Sequence, residues 1–136
     1  MTEMTRIALV VVAAAVIERD DRFLLTRRQE GVHLEGCWEF PGGKCEPGET
    51  LAACLARELL EELGVESSIG AELLVTMHAY EDRRVELHFF RCDVGEAPAP
   101  QLGQEMRWVA RHELAALELP PADAELIRIL SGTARL

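Results

Sequence analysis

The longest apolar run of the chain lies near its start, where "IALVVVAAAVI" occupies residues 7–17. β-Branched residues and alanine make up most of this run, as is typical of strands that are buried on both faces of a sheet. Its eleven residues are too few to cross a bilayer as a helix. We therefore predict a buried strand over residues 5–17, a turn over 18–22 and a hairpin partner over 23–28.

A helical period follows later, because leucine recurs every fourth residue at positions 51, 55, 59 and 63. This spacing places the leucines on one face and predicts a helix over residues 50–63. Gly64 comes directly after it, where a left-handed residue commonly ends a helix.

Glu58, Glu61 and Glu62 lie close together on the surface of this predicted helix, near its C-terminal end. Like charges at these spacings cost about 0.2–0.5 kcal/mol for each pair, and the negative end of the helix dipole adds to that cost. The cluster indicates either a solvated face or a bound positive group.

The remaining pattern alternates short strands and helices. It predicts strands over residues 37–40, 72–80, 84–94 and 106–110, a short helix over 111–117, and a last helix from Pro120 and Pro121 through Leu130. The Pro- and Gly-rich segment 41–49 is predicted to lack regular structure. This order favours an α/β (α+β) fold in which a mixed sheet lies between helices.

The composition is that of one globular domain over residues 1–136, with 49% apolar and 28% charged residues. A formal net charge of −10 argues against partners such as nucleic acid polymers and membranes with anionic surfaces. The four cysteines show no C-x-x-C pair or zinc spacing. Only one basic residue, Arg6, precedes the apolar run, which is a poor basic leader for a signal peptide. We expect reduced thiols in a cytoplasmic protein.

The glutamates belong to a longer motif in residues 42–65, "GGKCEPGETLAACLARELLEELGV". The segment resembles the Nudix box, G-x5-E-x7-R-E-U-x-E-E-x-G-U, in which U is apolar. All of its fixed positions are met, by Gly43, Glu49, Arg57, Glu58, Leu59, Glu61, Glu62, Gly64 and Val65. The flanking segments "LLTRR", "WEFPGGK" and "PPAD" extend the resemblance to the MutT-like branch of the Nudix hydrolases, over residues 6–130.

This resemblance implies a Nudix α/β/α sandwich and hydrolysis of a nucleoside triphosphate to the monophosphate and pyrophosphate. Such a reaction needs charge neutralisation on phosphate oxygens and a positioned water. Mg²⁺ prefers oxygen ligands and keeps several waters, so a few carboxylates suffice. We expect Mg²⁺ as the cofactor, with Mn²⁺ as an alternative.

The resemblance also assigns roles to the box residues. Glu58, Glu61 and Glu62 are expected to bind the metal together with the main-chain carbonyl of Gly42. In similar proteins the arginine at the Arg57 position orients the glutamates. The general base is expected to be Glu58. In this branch a glutamate directly precedes the tryptophan of a late strand, but here Arg107 has that position, which leaves the nearby Glu105 as the alternative base.

The expected substrate contacts are less closely tied to the motif. Arg28 and Lys44 are candidates for phosphate binding, although either could be only a solvated side chain. His33 matches a histidine near the nucleotide in MutT-like proteins, and backbone at Glu39 lines their base site. Phe40 is expected either in the core or as a stacking surface.

Asp123 departs from the branch, because enzymes that recognise oxidised guanine carry an asparagine there. A carboxylate only accepts hydrogen bonds unless it is protonated, and related branches with Asp favour cytidine nucleotides or accept several bases. The expected substrate is thus 8-oxo-dGTP or a pyrimidine nucleotide such as CTP or dCTP. Asp123 could instead only cap the last helix.

Three alternatives remain open at this point. Tyr80 lies close to the position of a tyrosine in dinucleoside polyphosphatases, which leaves hydrolysis of a dinucleoside polyphosphate or ADP-ribose as a rival activity. A nucleotide-sensing module on a Nudix scaffold is the non-enzymatic rival, although such modules usually lose box carboxylates. The chain is expected to be a monomer or a homodimer.

Overall fold

The computed structural model describes residues 8–32, 34–95 and 97–132. These residues form seven strands, two α-helices and two 3-10 helices. The strands are β1 (Ala8–Arg19), β2 (Arg22–Arg27), β3 (Trp38–Glu39), β4 (Gly42–Lys44), β5 (Ser67–Ala79), β6 (Arg83–Val94) and β7 (Met106–Ala110). The helices are α1 (Leu51–Leu63), a 3-10 helix at Arg111–Ala116, a 3-10 helix at Pro121–Asp123, and α2 (Ala124–Leu130).

The strands form one mixed sheet in the order β3-β2-β1-β6-β5, with β4 also paired to β1 and β7 to β2. The β1–β6 pair is parallel, and the other pairs are antiparallel. A tight turn joins β1 to β2, because Asp20 and Asp21 both adopt positive φ, 51° and 60°. Such two-residue turns match the natural twist of a hairpin.

Helices cover both faces of the sheet, and alternation along β1 shows why. Ala13, Ala15 and Ile17 pack in the core that contains the buried leucines of α1. Ala14 and Val16 point the other way and pack against residues of α2. Since successive side chains of a strand face opposite sides, a strand buried on both faces must be apolar throughout. The predicted fold class and the predicted strand are confirmed within the described residues, which exclude 5–7.

Segment 41–49 was predicted to be irregular, and that prediction is wrong for Gly42–Lys44, which pairs with Val12–Ala14 of β1. A Cβ atom built at Gly42 would lie 2.0 Å from the carbonyl oxygen of Ala13. Only glycine therefore allows β4 to approach β1 this closely. The glycines were predicted to interrupt regular structure, but here they allow two strands to lie in close contact, which is the other role of glycine in a sheet.

Smaller differences concern element bounds and helix type. β5 begins at Ser67 rather than at 72, and its register shifts twice between Ile69 and Leu74. The predicted short helix is a 3-10 helix, and the last helix begins as one. In the described ranges, no helix is long and apolar enough to cross a membrane.

Candidate active site

Helix α1 supplies the carboxylates of the site, and its two ends fix its position. Thr50 caps the N-terminus by accepting a hydrogen bond from the backbone N–H of Ala53 (3.1 Å). Gly64 ends the helix in the left-handed conformation, with φ 67°. Leu55, Leu59 and Leu63 are buried against the sheet. Glu58 and Glu62 lie beside this buried face, against Gly43 and Gly42 of β4, whereas Glu61 is exposed.

Arg57 binds three of the box carboxylates at once. Its guanidinium holds Glu49 through two hydrogen bonds, Nε to Oε2 at 2.7 Å and Nη2 to Oε1 at 3.0 Å. Nη1 reaches Glu58 at 3.0 Å and the more exposed Glu61 at 3.4 Å. Nη2 also donates to the carbonyl oxygen of Lys44 at 3.1 Å. Arg57 therefore ties α1 to the loop and places two of the three helix glutamates.

Two glycines let the β4 backbone approach these carboxylates. A Cβ atom at Gly43 would lie 2.4 Å from the carboxyl carbon of Glu58, so any side chain there would displace that carboxylate. The backbone N–H of Gly42 donates to Glu62 Oε2 at 3.2 Å. Gly43 is thus required by its contact with Glu58, whereas Gly42 is required by the close approach of β4 to β1.

The carboxylates raise one another's pKa because they are partly buried and close together. The pKa of Glu62 is raised to about 8, chiefly by burial and then by the charges of Glu39 and Glu58. Burial also raises the pKa of Glu58, against the opposing effect of Arg57. Glu49 behaves differently, since its hydrogen bonds to Arg57 lower its pKa to about 2. The face of α1 that carries Glu58 and Glu62 is therefore short of positive charge.

Within the described ranges, no three His, Cys, Asp or Glu side chains converge closely enough to hold a metal ion. Arg57 turns Glu58 and Glu61 toward itself, and Glu62 is bonded to Gly42. The donor set nevertheless fits a hard divalent cation, because these glutamates and the Gly42 carbonyl offer only oxygen. A cation would also offset the burial, and then the repulsion from Glu39 and Glu58, that raise the pKa of Glu62.

A cleft of about 650 Å³ lies beside these carboxylates. Its apolar walls come mainly from one face of β1 and β6, through Val10, Val12, Ala14, Val85, Leu87 and Phe89. Its polar lining includes Arg28, Glu39, Lys44, Glu58, Glu62 and Asp123. Clefts of this size, with mostly apolar walls and a few polar groups, are typical of sites for small molecules.

Asp123 is buried, with 4% of its surface exposed, and it lines the cleft. Its side chain makes no capping hydrogen bond to α2, so the interpretation of Asp123 as a helix cap is not supported. Burial and the nearby charge of Glu39 raise its pKa to about 7. Near neutral pH this group can therefore donate as well as accept a hydrogen bond.

Arg28 and Glu39 form an ion pair at 2.8 Å within the cleft. Phe40 is 4% exposed and meets Phe89 edge to face at 5.9 Å between ring centroids. It belongs to the core on the α2 side and also lines the cleft, so both expectations for it apply. Lys44 is exposed at the rim.

Two predicted residues stand apart from this arrangement. Glu105 pairs with Arg27 at 3.2 Å, and both side chains are largely exposed. It lines a separate shallow depression and not the cleft that holds Glu58. His33 lies outside the described residues, so its predicted place near the nucleotide stays a prediction.

Arg83, Val85 and Leu87 line the cleft but were not identified from the sequence as parts of the site. Arg83 stacks over the ring of Tyr80 at 5.6 Å, and both line the cleft with Val85 and Leu87. The alternation of Val85, Leu87 and Phe89 indicated one buried face of a strand. It could not indicate that this face lines the same cleft as Glu58 and Glu62, because the cleft depends on the parallel pairing of β1 with β6, which joins segments distant in the chain.

Comparison with known proteins places the chain among proteins with this motif. A family profile described as "NUDIX domain" matches residues 12–128. The CTP pyrophosphohydrolase of Escherichia coli (strain K12) is 35% identical over 120 residues, which are 88% of this chain and 89% of that protein. The 8-oxo-dGTP diphosphatase of Haemophilus influenzae is 38% identical over 130 residues, 92% of this chain and 94% of that protein.

A solved structure gives the same result for the fold. The solution structure of the E. coli ORF135 protein superposes with a TM-score of 0.79 at 32% identity. The match covers 97% of this chain and 93% of that one. Both the sequence and the backbone therefore resemble these proteins over nearly their whole length.

Proposed function

The chain belongs to the Nudix hydrolase family, and from this premise we propose that it hydrolyses a nucleoside triphosphate to the monophosphate and pyrophosphate. It is a hydrolase of phosphoric anhydrides, as the similar diphosphatases are by name. The observation that carries the proposal is the position of Glu58 and Glu62, which line the same cleft as the buried Asp123. Phosphate and base of one nucleotide can therefore be bound together.

Nudix hydrolases generally use divalent metal ions, and we propose Mg²⁺ here, with Mn²⁺ as an alternative. Glu58, Glu61, Glu62 and the Gly42 carbonyl would hold it. When bound, the ion supplies positive charge to the phosphate oxygens and activates water. The donor chemistry supports this assignment, because carboxylate and carbonyl oxygens are the ligands that Mg²⁺ prefers.

Glu58 is proposed as the general base, in preference to Glu105. It lies inside the cleft, 15% exposed, and Arg57 fixes one of its oxygens. Glu105 is paired with Arg27 outside the cleft. A base must come within hydrogen-bond reach of the attacking water, and of these two glutamates it is Glu58 that lines the cleft, which supports its choice as the base. Arg57 is proposed to act by positioning the glutamates.

Arg28 and Lys44 are proposed to bind the phosphate chain, since both are cations that line the cleft. Charge-assisted hydrogen bonds to phosphate are roughly twice as strong as neutral ones. This local pair offsets the net charge of −10, which by itself would repel a polyanion.

The nucleobase of the substrate is proposed to lie at the end of the cleft formed by Glu39, Phe40 and Asp123. Because the raised pKa lets Asp123 exist in either protonation state near neutral pH, it can pair with a donor or an acceptor on a base edge. This favours a pyrimidine nucleotide such as CTP or dCTP, or tolerance of several bases including 8-oxoguanine, over strict selection of one base.

The test is product analysis across 8-oxo-dGTP, CTP, dCTP, ATP and ADP-ribose with Mg²⁺. We expect a monophosphate and pyrophosphate, in equal amounts, from at least one triphosphate. Glu58→Gln should lower turnover by at least about 100-fold with an unchanged melting temperature, whereas Glu105→Gln should retain turnover. Release of inorganic phosphate, or activity on ADP-ribose alone, would contradict the proposal.

A single domain in a reducing cytoplasm is proposed on two grounds. The family match covers residues 12–128, and all four cysteines are free thiols. The oligomeric state, monomer or homodimer, stays a prediction.

A further inference from the structure

Gln104 is a buried amide in a loop that is otherwise open to solvent. Residues 99–105 run beside the C-terminal end of α1 and are exposed except for Gln104, of which 9% is accessible. Buried amides need hydrogen-bond partners, and both ends of this one are used. Nε2 donates to the carbonyl oxygen of Glu62 at 3.0 Å, and Oε1 accepts from the N–H of Leu102 at 2.9 Å. The side chain of Gln104 therefore connects the loop to α1.

The last turn of α1 depends on this loop, because the final carbonyls of a helix have no partners within it. The carbonyl of Glu62 accepts from Gln104 and also from the N–H of Gln101 at 2.9 Å. The carbonyl of Leu63 accepts from the N–H of Ala99 at 3.1 Å. These donors also offset the negative end of the helix dipole. The loop thus holds the turn that carries Glu62.

The loop is in turn fixed to β2 on both sides of Gln104. Gln29, which follows β2, donates from Nε2 to the carbonyl of Leu102 at 2.9 Å. The N–H of Arg27 donates to the carbonyl of Glu105 at 3.0 Å. A continuous path of hydrogen bonds therefore runs from the end of β2 through Gln104 to α1.

Glu62 is consequently held from two directions. Its carboxylate accepts from the N–H of Gly42 at 3.2 Å, and its main-chain carbonyl is bound by Gln104. Gln104 also lines a small cavity of about 170 Å³ that shares Glu39 and Glu62 with the main cleft. A neutral amide suits this place, because a lysine or arginine could pair with the Glu62 carboxylate and compete with a cation.

We propose that Gln104 is a positioning residue for the metal site, and that it fixes the last turn of α1 so that the Glu62 carboxylate is presented to a divalent cation. This inference rests on the proposed function, in which Glu62 is a metal ligand. Hydrogen-bonding groups that orient metal ligands typically contribute about 10- to 100-fold in metal affinity or activity. Gln104 acts through Glu62 and does not itself bind the ion.

The test replaces Gln104 by methionine, which keeps the length of the side chain and removes both hydrogen bonds. In Gln104→Met the free Mg²⁺ concentration that gives half-maximal turnover should rise about tenfold. The concentration that gives half of the Mg²⁺-induced rise in melting temperature should increase in parallel. At saturating Mg²⁺ the KM for the nucleotide should stay within about twofold of the wild-type value. A loop that only stabilised the fold would lower the melting temperature without changing the Mg²⁺ requirement.

Hydrogen exchange in a chelator gives a second measurement that needs neither metal nor substrate. In Gln104→Met the backbone amides of residues 61–64 should exchange at least about threefold faster, because a helix end opens locally when its carbonyls lose partners. The amides of residues 55–58, in the middle of α1, should keep their rates. If the wild-type protein hydrolyses no nucleotide, the proposed function fails, whereas the exchange rates and the Mg²⁺-dependent melting still decide the role of Gln104.

Two further variants make the experiment specific. Gln101→Ala is the matched control, because this exposed side chain donates only to the nearby carbonyl of Ala99 at 3.0 Å. It should keep the wild-type Mg²⁺ requirement and exchange rates. Gln104→Asn keeps the amide but is too short for both contacts, so it should shift the requirement in the same direction even if methionine prevents folding. An unchanged Mg²⁺ requirement in both Gln104 variants, or an equal shift in Gln101→Ala, would overturn the proposal.

Discussion

At the scale of single residues, Arg57 explains how α1 tolerates its cluster of like charges. Glu58 and Glu61 would repel each other on a bare helix, but each accepts a hydrogen bond from the same guanidinium nitrogen. Glu62 lies beyond its reach and is instead bonded to the Gly42 N–H. Glu62, whose pKa is raised to about 8 chiefly by burial, therefore has no hydrogen bond to a cationic side chain in the described structure.

Substitutions at Gly43 and Gly42 should separate catalysis from folding. In Gly43→Ala the new methyl meets only the end of the Glu58 side chain, at 2.4 Å, which can move aside. We expect an unchanged melting temperature and turnover that is about 10- to 100-fold lower. In Gly42→Ala the methyl meets the backbone of Ala13, at 2.0 Å.

That second substitution should cost about 1–3 kcal/mol of folding free energy through overpacking. Thermal melts and pyrophosphate release on both variants provide the measurement. Equal destabilisation of the two variants would contradict this account of the site.

Asp123 should make stability depend on pH. Its pKa is raised from 3.8 to about 7 in the folded chain, so between those values the folded state binds more protons than the unfolded state. This contribution is present at low pH and is lost as pH rises through 7. Asp123→Asn removes this loss of stability at high pH. The increase in the free energy of unfolding that it produces should therefore be about 2 kcal/mol larger at pH 8 than at pH 5.

Melting temperatures measured in a chelator at both pH values test this prediction. Glu125→Gln changes an exposed carboxylate on the next helix and is the control. If both variants respond to pH alike, Asp123 does not carry the effect.

At the scale of elements, α1 is the rigid part of the site, and its capping residues keep the glutamates in register. Thr50 satisfies a free N–H at the start. At the end, the N–H of Gly64 donates to the Leu60 carbonyl at 3.0 Å. Because helix ends leave backbone groups without intrahelical partners, Thr50 determines where α1 starts, and Gly64 determines where the last turn, with Glu61 and Glu62, stops.

Gly64→Ala should therefore destabilise the helix end. Alanine is strained at φ 67°, and its methyl would lie 2.8 Å from the amide nitrogen of Gln101. The backbone cost is about 1 kcal/mol, which corresponds to a fall of about 4 °C in melting temperature. Gly95→Ala is the control, because a methyl there meets nothing within 4 Å. A fall of the same size in both variants would contradict the capping role.

At the scale of the whole molecule, the cleft exists only because separate parts of the chain meet. β1 and β6 supply its walls, α1 supplies carboxylates on one side, and the 3-10 helix at Pro121–Asp123 supplies Asp123 on the other. A ligand that binds here contacts most of the fold. Binding should accordingly raise the stability of the whole domain.

Magnesium should stabilise the protein in a pH-dependent manner. A metal ion binds the deprotonated carboxylate, and the pKa of Glu62 in the folded chain is about 8. The rise in melting temperature produced by Mg²⁺ should therefore be larger at pH 8.5 than at pH 6.5, with affinity falling by up to about tenfold per pH unit below 8.

Glu62→Gln should abolish most of that rise, whereas Glu66→Gln, an exposed neighbour beyond the helix, should keep it. Stabilisation by Mg²⁺ that is unchanged in Glu62→Gln would remove Glu62 from the proposed metal ligands.

The sequence by itself determined the features that depend on local spacing. Leucines four residues apart specify α1, and the box spacing puts Glu61 within reach of Arg57 and groups Glu58 with Glu61 and Glu62, because helical geometry fixes neighbours three and four residues apart. The unbroken apolar run likewise specified a strand with both faces buried. These inferences needed no knowledge of distant residues.

Only the tertiary structure decided the features that join distant segments. It showed that Gly42–Lys44 is a strand, that Asp123 lies buried in the cleft without capping α2, and that Glu105 lies outside that cleft. Each depends on pairing or packing between residues far apart in the chain. Local sequence cannot specify such contacts, because the same glycine or aspartate suits a turn, a cap or a close contact equally well.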